Sequence, residues 1–210
     1  MSSVKPRRRD ISAALTRTAV LDAARRLFVT KGFEATSIDE IARASESSNG
    51  AVYHHFRDKQ EIFAEVFRGA QATVLQSAVA SMPTDTTAWQ RVEAGTRAFL
   101  RGYVVDDDAR MLLRQAVGVL GWDRVRELDE EMSLPLIRAV LTDAIEAGEA
   151  VPVPVATAAD VLFSLFCNSV LIVAAGNDPD QTAKDVEVVL FTLLSGMRSA
   201  AESTGSQHKD

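Results

Sequence analysis

The sequence predicts an all-α protein, with a small N-terminal module of three short helices joined by a long fourth helix to a larger helical body. Three observations predict it. Apolar residues recur at three- and four-residue spacing along most of the 210-residue chain. Serine and aspartate caps and glycine stops bound those runs. The composition is 47% hydrophobic but only 6% aromatic, with frequent Ala, Leu and Val, which suits helix-on-helix packing better than sheets.

The first helix is expected from about Thr16 to Lys31, with Val20, Ala23, Ala24, Leu27 and Phe28 recurring at helical spacing. Lys31 in the last turn and Gly32 after it favour a left-handed stop, over which Phe33 can fold back. Ser37 and Glu40 form a capping box for a short second helix buried through Ile38, Ile41 and Ala42. Ser45 to Ser48 break the pattern, because serine competes for backbone hydrogen bonds. A third short helix follows from about Ser48 to His54. Asp58 and Glu61 then cap a long helix carrying Ile62, Phe63, Val66, Phe67, Ala70 and Val74, ended by Met82-Pro83. That arrangement describes a helix-turn-helix module.

In the body, Trp89, Val92, Thr96, Phe99, Leu100 and Tyr103 share a face, and a shorter helix precedes Gly121. Between Arg124 and Ala147 a helix is expected to kink or break near Ser133, because Pro135 lies inside it. Val151 to Pro154 reads as an extended connector. Val155 to Ala175 is apolar nearly all round, so it needs burial on more than one side. Asp178-Pro179-Asp180-Gln181 starts the last helix with an N-cap, a first-position proline and a capping-box glutamine. A partner subunit is the economical cover for these two helices, making Leu162, Leu165, Val186, Val189, Leu190, Leu193 and Met197 candidates for a homodimer interface.

Ser164, Asn168 and Ser169 interrupt the longest apolar stretch, so no membrane partner is expected. No apolar block follows the basic N-terminus, and a cytoplasmic location is expected. The single cysteine, Cys167, excludes an internal disulfide and a thiolate zinc cluster and reads as a small core residue. Enzymatic chemistry finds no support. There is no phosphate-binding glycine loop, and the histidines are an adjacent pair, His54 and His55, with His208 in the tail. No cofactor is expected.

The net charge of −6 hides an asymmetry. Residues 1–60 hold eleven Lys and Arg against seven Asp and Glu, a net of +4; the rest holds twelve against twenty-two, a net of −10. A basic head can attract phosphates while an acidic body repels them.

From about residue 17 to 67 the chain resembles the TetR family, most specifically in Gly50-Ala51-Val52-Tyr53-His54-His55-Phe56 with Lys59 close behind. Val119-Leu120-Gly121-Trp122 and the Ala147-Gly148 helix end also resemble one branch of the family's C-terminal domains. The resemblance implies a sequence-specific transcriptional regulator, a repressor in most such proteins, whose third helix enters the major groove of double-stranded operator DNA. It also implies a larger C-terminal domain that dimerises and binds a small-molecule effector, which releases the DNA. The residues agree with that reading. Ser48, Asn49, Gly50 and Ala51 let the backbone approach base edges; Asn49 can pair with an adenine edge and Ala51 can touch a thymine methyl. Tyr53, His54 and Lys59 are candidate phosphate donors, and Thr36 and Ser37 offer hydroxyls. Tyr53 is alternatively core packing, and one of His54 and His55 is expected to face inward. Where the family carries Ala-Gly-Val at the bend, this chain has Ser45-Glu46-Ser47, and Glu46 is strained if its φ is positive.

The domains expected are a flexible basic arm (1–15), the helix-turn-helix domain (16–60), the effector-binding and dimerisation domain (61–201) and a disordered tail (202–210). Arg7-Arg8-Arg9 reads either as a minor-groove arm or as a solvated tail. Effector candidates are Phe99, Tyr103, Met111, Gln115, Trp122, Phe163, Phe166 and Asn168, at least half of them ordinary core. Their apolar character favours a mostly apolar or aromatic effector.

Overall fold

The computed structural model describes residues 8–199, so the expected tail and Arg7 lie outside it. Among the described residues there are nine helices and no strand: α1 (Arg8–Lys31), α2 (Ile38–Ala44), α3 (Asn49–His55), α4 (Lys59–Ala80), α5 (Ala88–Val105), α6 (Asp107–Leu120), α7 (Trp122–Glu146), α8 (Val155–Ala175) and α9 (Pro179–Ser195). They form two compact units. One comprises the chain to Val74 with Asp106–Asp129; the other comprises Leu75–Val105 and the chain from Glu130 on. The expected division at residue 60 therefore does not coincide with these units, since the rest of α4 to Val74, α6 and the first turns of α7 belong with the N-terminal helices. Nor is residues 8–15 an irregular arm. With no Gly or Pro between Pro6 and Gly32 and with Ala13, Ala14 and Leu15 in sequence, α1 starts at Arg8.

In the first unit, Val20, Ala23, Ala24 and Phe28 of α1 are fully buried with Ile41 of α2, Val52 of α3, Ile62 and Phe63 of α4 and Leu112 of α6. Gly32 takes φ +83°, a left-handed stop that L side chains rarely adopt. Phe33 folds back as expected, its ring 5.7 Å from that of Phe28 and 5.5 Å from that of Phe63.

The bend between α2 and α3 is where the sequence departs from the family pattern. Glu46 has φ +53°, the only positive φ outside glycine among the described residues. The helix end nevertheless closes: Ser47 N–H donates to Ala42 O at 2.9 Å and Glu46 N–H to Arg43 O at 3.2 Å, the paired bonds of a Schellman motif with a glutamate in the glycine position. Ser45 and Ser47 turn their hydroxyls onto Ala42 O and Ser45 O. The turn is strained yet fully bonded.

In the second unit, α5 packs against α8 and α9. Ala88, Trp89, Leu141, Ala144, Ala150, Ala159, Leu162 and Leu194 form one buried cluster. Trp89 anchors it, its N–H donating to Glu149 Oε2 at 2.7 Å and its indole Nε1 to Glu93 Oε1 at 2.8 Å. Of the kink or break expected near Ser133, the break does not occur, and α7 continues through Pro135. Pro135 and Glu131 are both exposed, so the carbonyl deprived of its amide partner faces solvent. At the start of α9, Asp178 caps Gln181 N–H at 3.0 Å, but the Gln181 side chain turns forward to Asp185 instead of back to complete a box. The polar interruptions in α8 do not disqualify it as a span by length and composition. It is the one such helix among the described residues, with a mean hydropathy of 2.0.

The strained bend yields an expected outcome. Replacing Glu46 with Gly should stabilise the first unit by about 1 kcal/mol, because the left-handed conformation costs an L residue roughly that much. The measurement is the urea midpoint. An equal gain from Glu46→Ala would trace the effect to lost charge and dismiss the backbone explanation.

Candidate nucleic-acid interface

The geometry of the head follows from its caps. Ser37 Oγ accepts from Glu40 N–H at 3.2 Å, while the Glu40 carboxylate accepts from Ser37 N–H at 3.0 Å, completing the box that orients α2. Lys31 Nζ donates to Glu40 Oε1 at 2.7 Å, and this ammonium, then the Ser37 bonds, hold the Glu40 carboxyl down at about 2. Ser48 caps α3 by accepting from Ala51 N–H at 3.2 Å.

Anchored this way, α3 buries Val52 and presents Asn49, Gly50, Tyr53 and His54 to solvent. Those four positions share one helical face. Tyr53 is 56% exposed, which excludes the core-packing alternative. Between the two histidines it is His55 that turns inward. Its half-buried ring lies 5.3 Å from that of His54. Burial, and then the charges of His54 and Arg17, push it below the usual imidazole range. A Cβ added at Gly50 would meet nothing closer than Ser48 Oγ at 3.9 Å, so the fold itself does not demand glycine there.

Two of the expected DNA donors are employed internally. Thr36 is 2% exposed, and its hydroxyl donates to Gly32 O at 2.8 Å. Lys59 Nζ donates to Phe33 O and Thr36 O, each at 2.8 Å, and lies 4.1 Å from the centre of the Phe33 ring. Both bind the α1–α2 turn because that turn leaves carbonyls without helical partners. Other cations are also paired: Arg17 with Glu65 at 2.9 Å, Arg25 with Asp108 at 3.0 Å and Arg57 with Asp58 at 3.0 Å. Sequence reading missed the bond from Asn49 Nδ2 to Asp39 Oδ1, which ties α3 to α2. The two residues are ten positions apart, a separation that no helical periodicity marks.

The effector candidates are not brought together as one set. Met111, Gln115 and Trp122 belong to the first unit, where Met111 and Trp122 are exposed. The Gln115 amide is occupied: Oε1 accepts from Phe33 N–H at 2.7 Å, and Nε2 donates to Phe28 O at 3.1 Å and Met111 O at 3.0 Å. In the second unit the ring of Phe99 lies 5.6 Å from that of fully buried Tyr103 and 6.3 Å from that of Phe166. Phe163 is also buried, and exposed Asn168 donates to Ser164 O of its own helix. Among the dimer candidates, Val189 and Leu193 are exposed, Leu165, Val186 and Met197 are half-buried, and Leu162 and Leu190 are buried within the subunit and so unable to face a partner. Val161, Ile172 and Val188, which sequence reading passed over, are exposed on the same two helices. Hydropathy marks a helix as apolar all round but does not say which side its own subunit leaves bare.

Two outcomes are expected of the head without any ligand. Lys59→Met should destabilise it by about 2–3 kcal/mol, the scale of hydrogen bonds to a charged donor, read by urea unfolding; an unchanged midpoint would leave Lys59 free for another role. His55 has a lowered folded value, so its contribution to stability is present above its ordinary 6.5 and is lost as pH falls through that lowered value. Unfolding of His55→Gln at stepped pH should show a shallower acid decline; a profile identical to the unsubstituted protein would remove His55 as its source.

Residues 20–66 match the tetR family of bacterial regulatory proteins, and residues 89–197 match a tetracyclin repressor-like C-terminal domain. The transposon Tn10 TetC protein of Escherichia coli is 26% identical over 136 residues, covering 64% of this chain and 68% of that protein. The HTH-type transcriptional regulator AcrR of Shigella flexneri is 41% identical over 59 residues, covering 28% of this chain and 27% of its own. A crystal structure of a tetR-family regulator from Pectobacterium atrosepticum has the same fold, with a TM-score of 0.78 over 93% of this chain and 99% of that one at 23% identity. With a capped helix-turn-helix head and a C-terminal match spanning half its length, the chain belongs to the tetR family of DNA-binding transcriptional regulators.

Proposed function

We propose that the protein is a homodimeric repressor that binds a palindromic operator and releases it when a small, mostly apolar or aromatic effector binds the second unit. The observation that carries this reading is the exposed face of α3. Asn49, Gly50, Tyr53 and His54 are left uncovered by a head that buries Val52 of the same helix. Gly50 supports it, since the only residue without a side chain on that face is one the fold does not need to be glycine. Ser37 and Ser48 are exposed and Ala51 and His55 half-buried in the same head, and they are assigned to the same DNA contact. The closed Schellman turn at Glu46 counts against a head disabled for DNA.

Dimerisation is supported by the bare apolar faces of α8 and α9. Val188 is 67% exposed, Val189 58% and Leu193 55%, with Val161 and Ile172 similarly open on α8. Several large aliphatic side chains left in water on adjoining helices are what a second copy would cover. The effector is assigned to the surroundings of Phe99, Tyr103, Phe163 and Phe166, whose rings favour an apolar or aromatic guest. Release is a population shift: the effector prefers the conformation in which the two heads no longer fit the operator spacing. Both α4 and α7 contribute residues to both units, so each offers a continuous helix for that coupling.

Selection from random duplex DNA should enrich a palindrome whose affinity falls steeply with salt, since each neutralised phosphate adds to the slope. Tyr53→Ala should weaken that binding. Val189→Asp with Leu193→Asp should give monomers by sedimentation and cost roughly 10²–10⁴-fold in operator affinity, the usual gain from bivalent binding. A doubly substituted protein that stays dimeric would remove the α9 face from the interface. Failure of the intact protein to enrich any site would move the function to protein partners.

A further inference from the structure

We propose that Asp39 of α2 is a positioning residue for base recognition, holding the Asn49 amide at the start of α3 in one orientation. This rests on the reading that the exposed face of α3 meets DNA. Asn49 Nδ2 lies 2.5 Å from Asp39 Oδ1. Only the amide nitrogen can face a carboxylate, because the amide oxygen would set two acceptors against each other. The flip state of Asn49 is therefore fixed by chemistry. With one N–H committed to Asp39, the side chain keeps one N–H and its carbonyl oxygen for an outside partner. A donor and an acceptor on adjacent atoms are what an adenine edge takes through N7 and N6.

Asp39 is itself tied down. Its backbone carbonyl accepts from Arg43 Nε at 3.3 Å, and it sits in the first turn of α2, beside the capping box of Ser37 and Glu40. Asn49 is likewise fixed in backbone by the Ser48 cap. Both ends of the bond are set by their own helices, so the pair fixes a side chain that would otherwise rotate freely in solvent. A carboxylate near the DNA-facing surface repels phosphates. Orienting the reading amide is the role that offsets this repulsion.

The test is operator selection followed by titration against the selected site and its single-base variants, using the 210-residue chain. Asn49→Ala identifies the base pair that Asn49 reads, expected as a roughly five- to hundredfold loss of discrimination confined to that position. Asp39→Ala should relax the same position and no other, and the double variant should relax it no further. Asp39→Asn keeps an acceptor for Asn49 and drops the charge, so discrimination should survive while affinity rises for all sequences alike. If Asp39→Ala raises affinity uniformly and leaves every preference intact, Asp39 acts only as a charge and the proposal is overturned. An Asn49→Ala protein with unaltered preferences overturns it too, while leaving the regulator standing. No enriched site for the unsubstituted protein overturns both. Thermal melts of each variant exclude a folding defect as the source of relaxation.

Discussion

Where α1 gives way to α2 beside a hydrophobic core, several backbone groups of the turn lie beyond the helical hydrogen-bond ladder. The structure answers this at Phe33. Its ring closes over Phe28 and Phe63, its N–H is taken by Gln115 of α6, and its carbonyl is taken by Lys59 of α4. Thr36 completes the arrangement, donating its hydroxyl to Gly32 O and offering its own carbonyl to Lys59. Three helices, α1, α4 and α6, thus converge on Gly32, Phe33 and Thr36 of the turn from which α2 leaves. The requirement is general: a buried or half-buried peptide group without a partner costs as much as a lost hydrogen bond.

This explains why two side chains that resemble DNA donors in sequence do not behave as free ones. Lys59 and Thr36 satisfy carbonyls of the turn and are spent there. It also explains why α6 belongs with the head. Gln115 satisfies both a donor and an acceptor of the α1 end, Gln60 Nε2 reaches Val119 O at 2.9 Å, and Arg25 pairs with Asp108. Under the proposed function, a displacement of α6 would disturb this turn. The buried bond from Gln71 of α4 to Asp129 of α7, 2.7 Å long, adds a second polar fastening within the same unit.

The surface of the second unit poses the opposite problem. Its core closes around Trp89 and Ala144, yet α8 and α9 leave large aliphatic side chains exposed. Burial of such surface is the main favourable term in association, so covering a bare apolar face is favourable. The proposed homodimer follows from that imbalance more than from any single contact.

The sequence by itself determined the helical class, the order of the elements and several of the caps, because these depend on neighbours within four residues; the Asp106 cap of α6 and the Thr87–Gln90 pair before α5 went unread. The Ser37–Glu40 box, the Gly32 stop and the Asp178 cap could be read directly, and Glu46 could be suspected of strain from its place at the bend. Only the tertiary structure decided which polar side chains are spent inside the protein. Lys59 and Gln115 meet partners far along the chain, as Asn49 meets Asp39 ten positions away, and no local periodicity encodes such distances. The same holds for burial on α8 and α9. Leu162 and Leu190 turn inward while Val161 and Val189, one residue before each, turn outward. Which side of an evenly apolar helix stays bare depends on where its neighbours pack, and that is settled by the core as a whole.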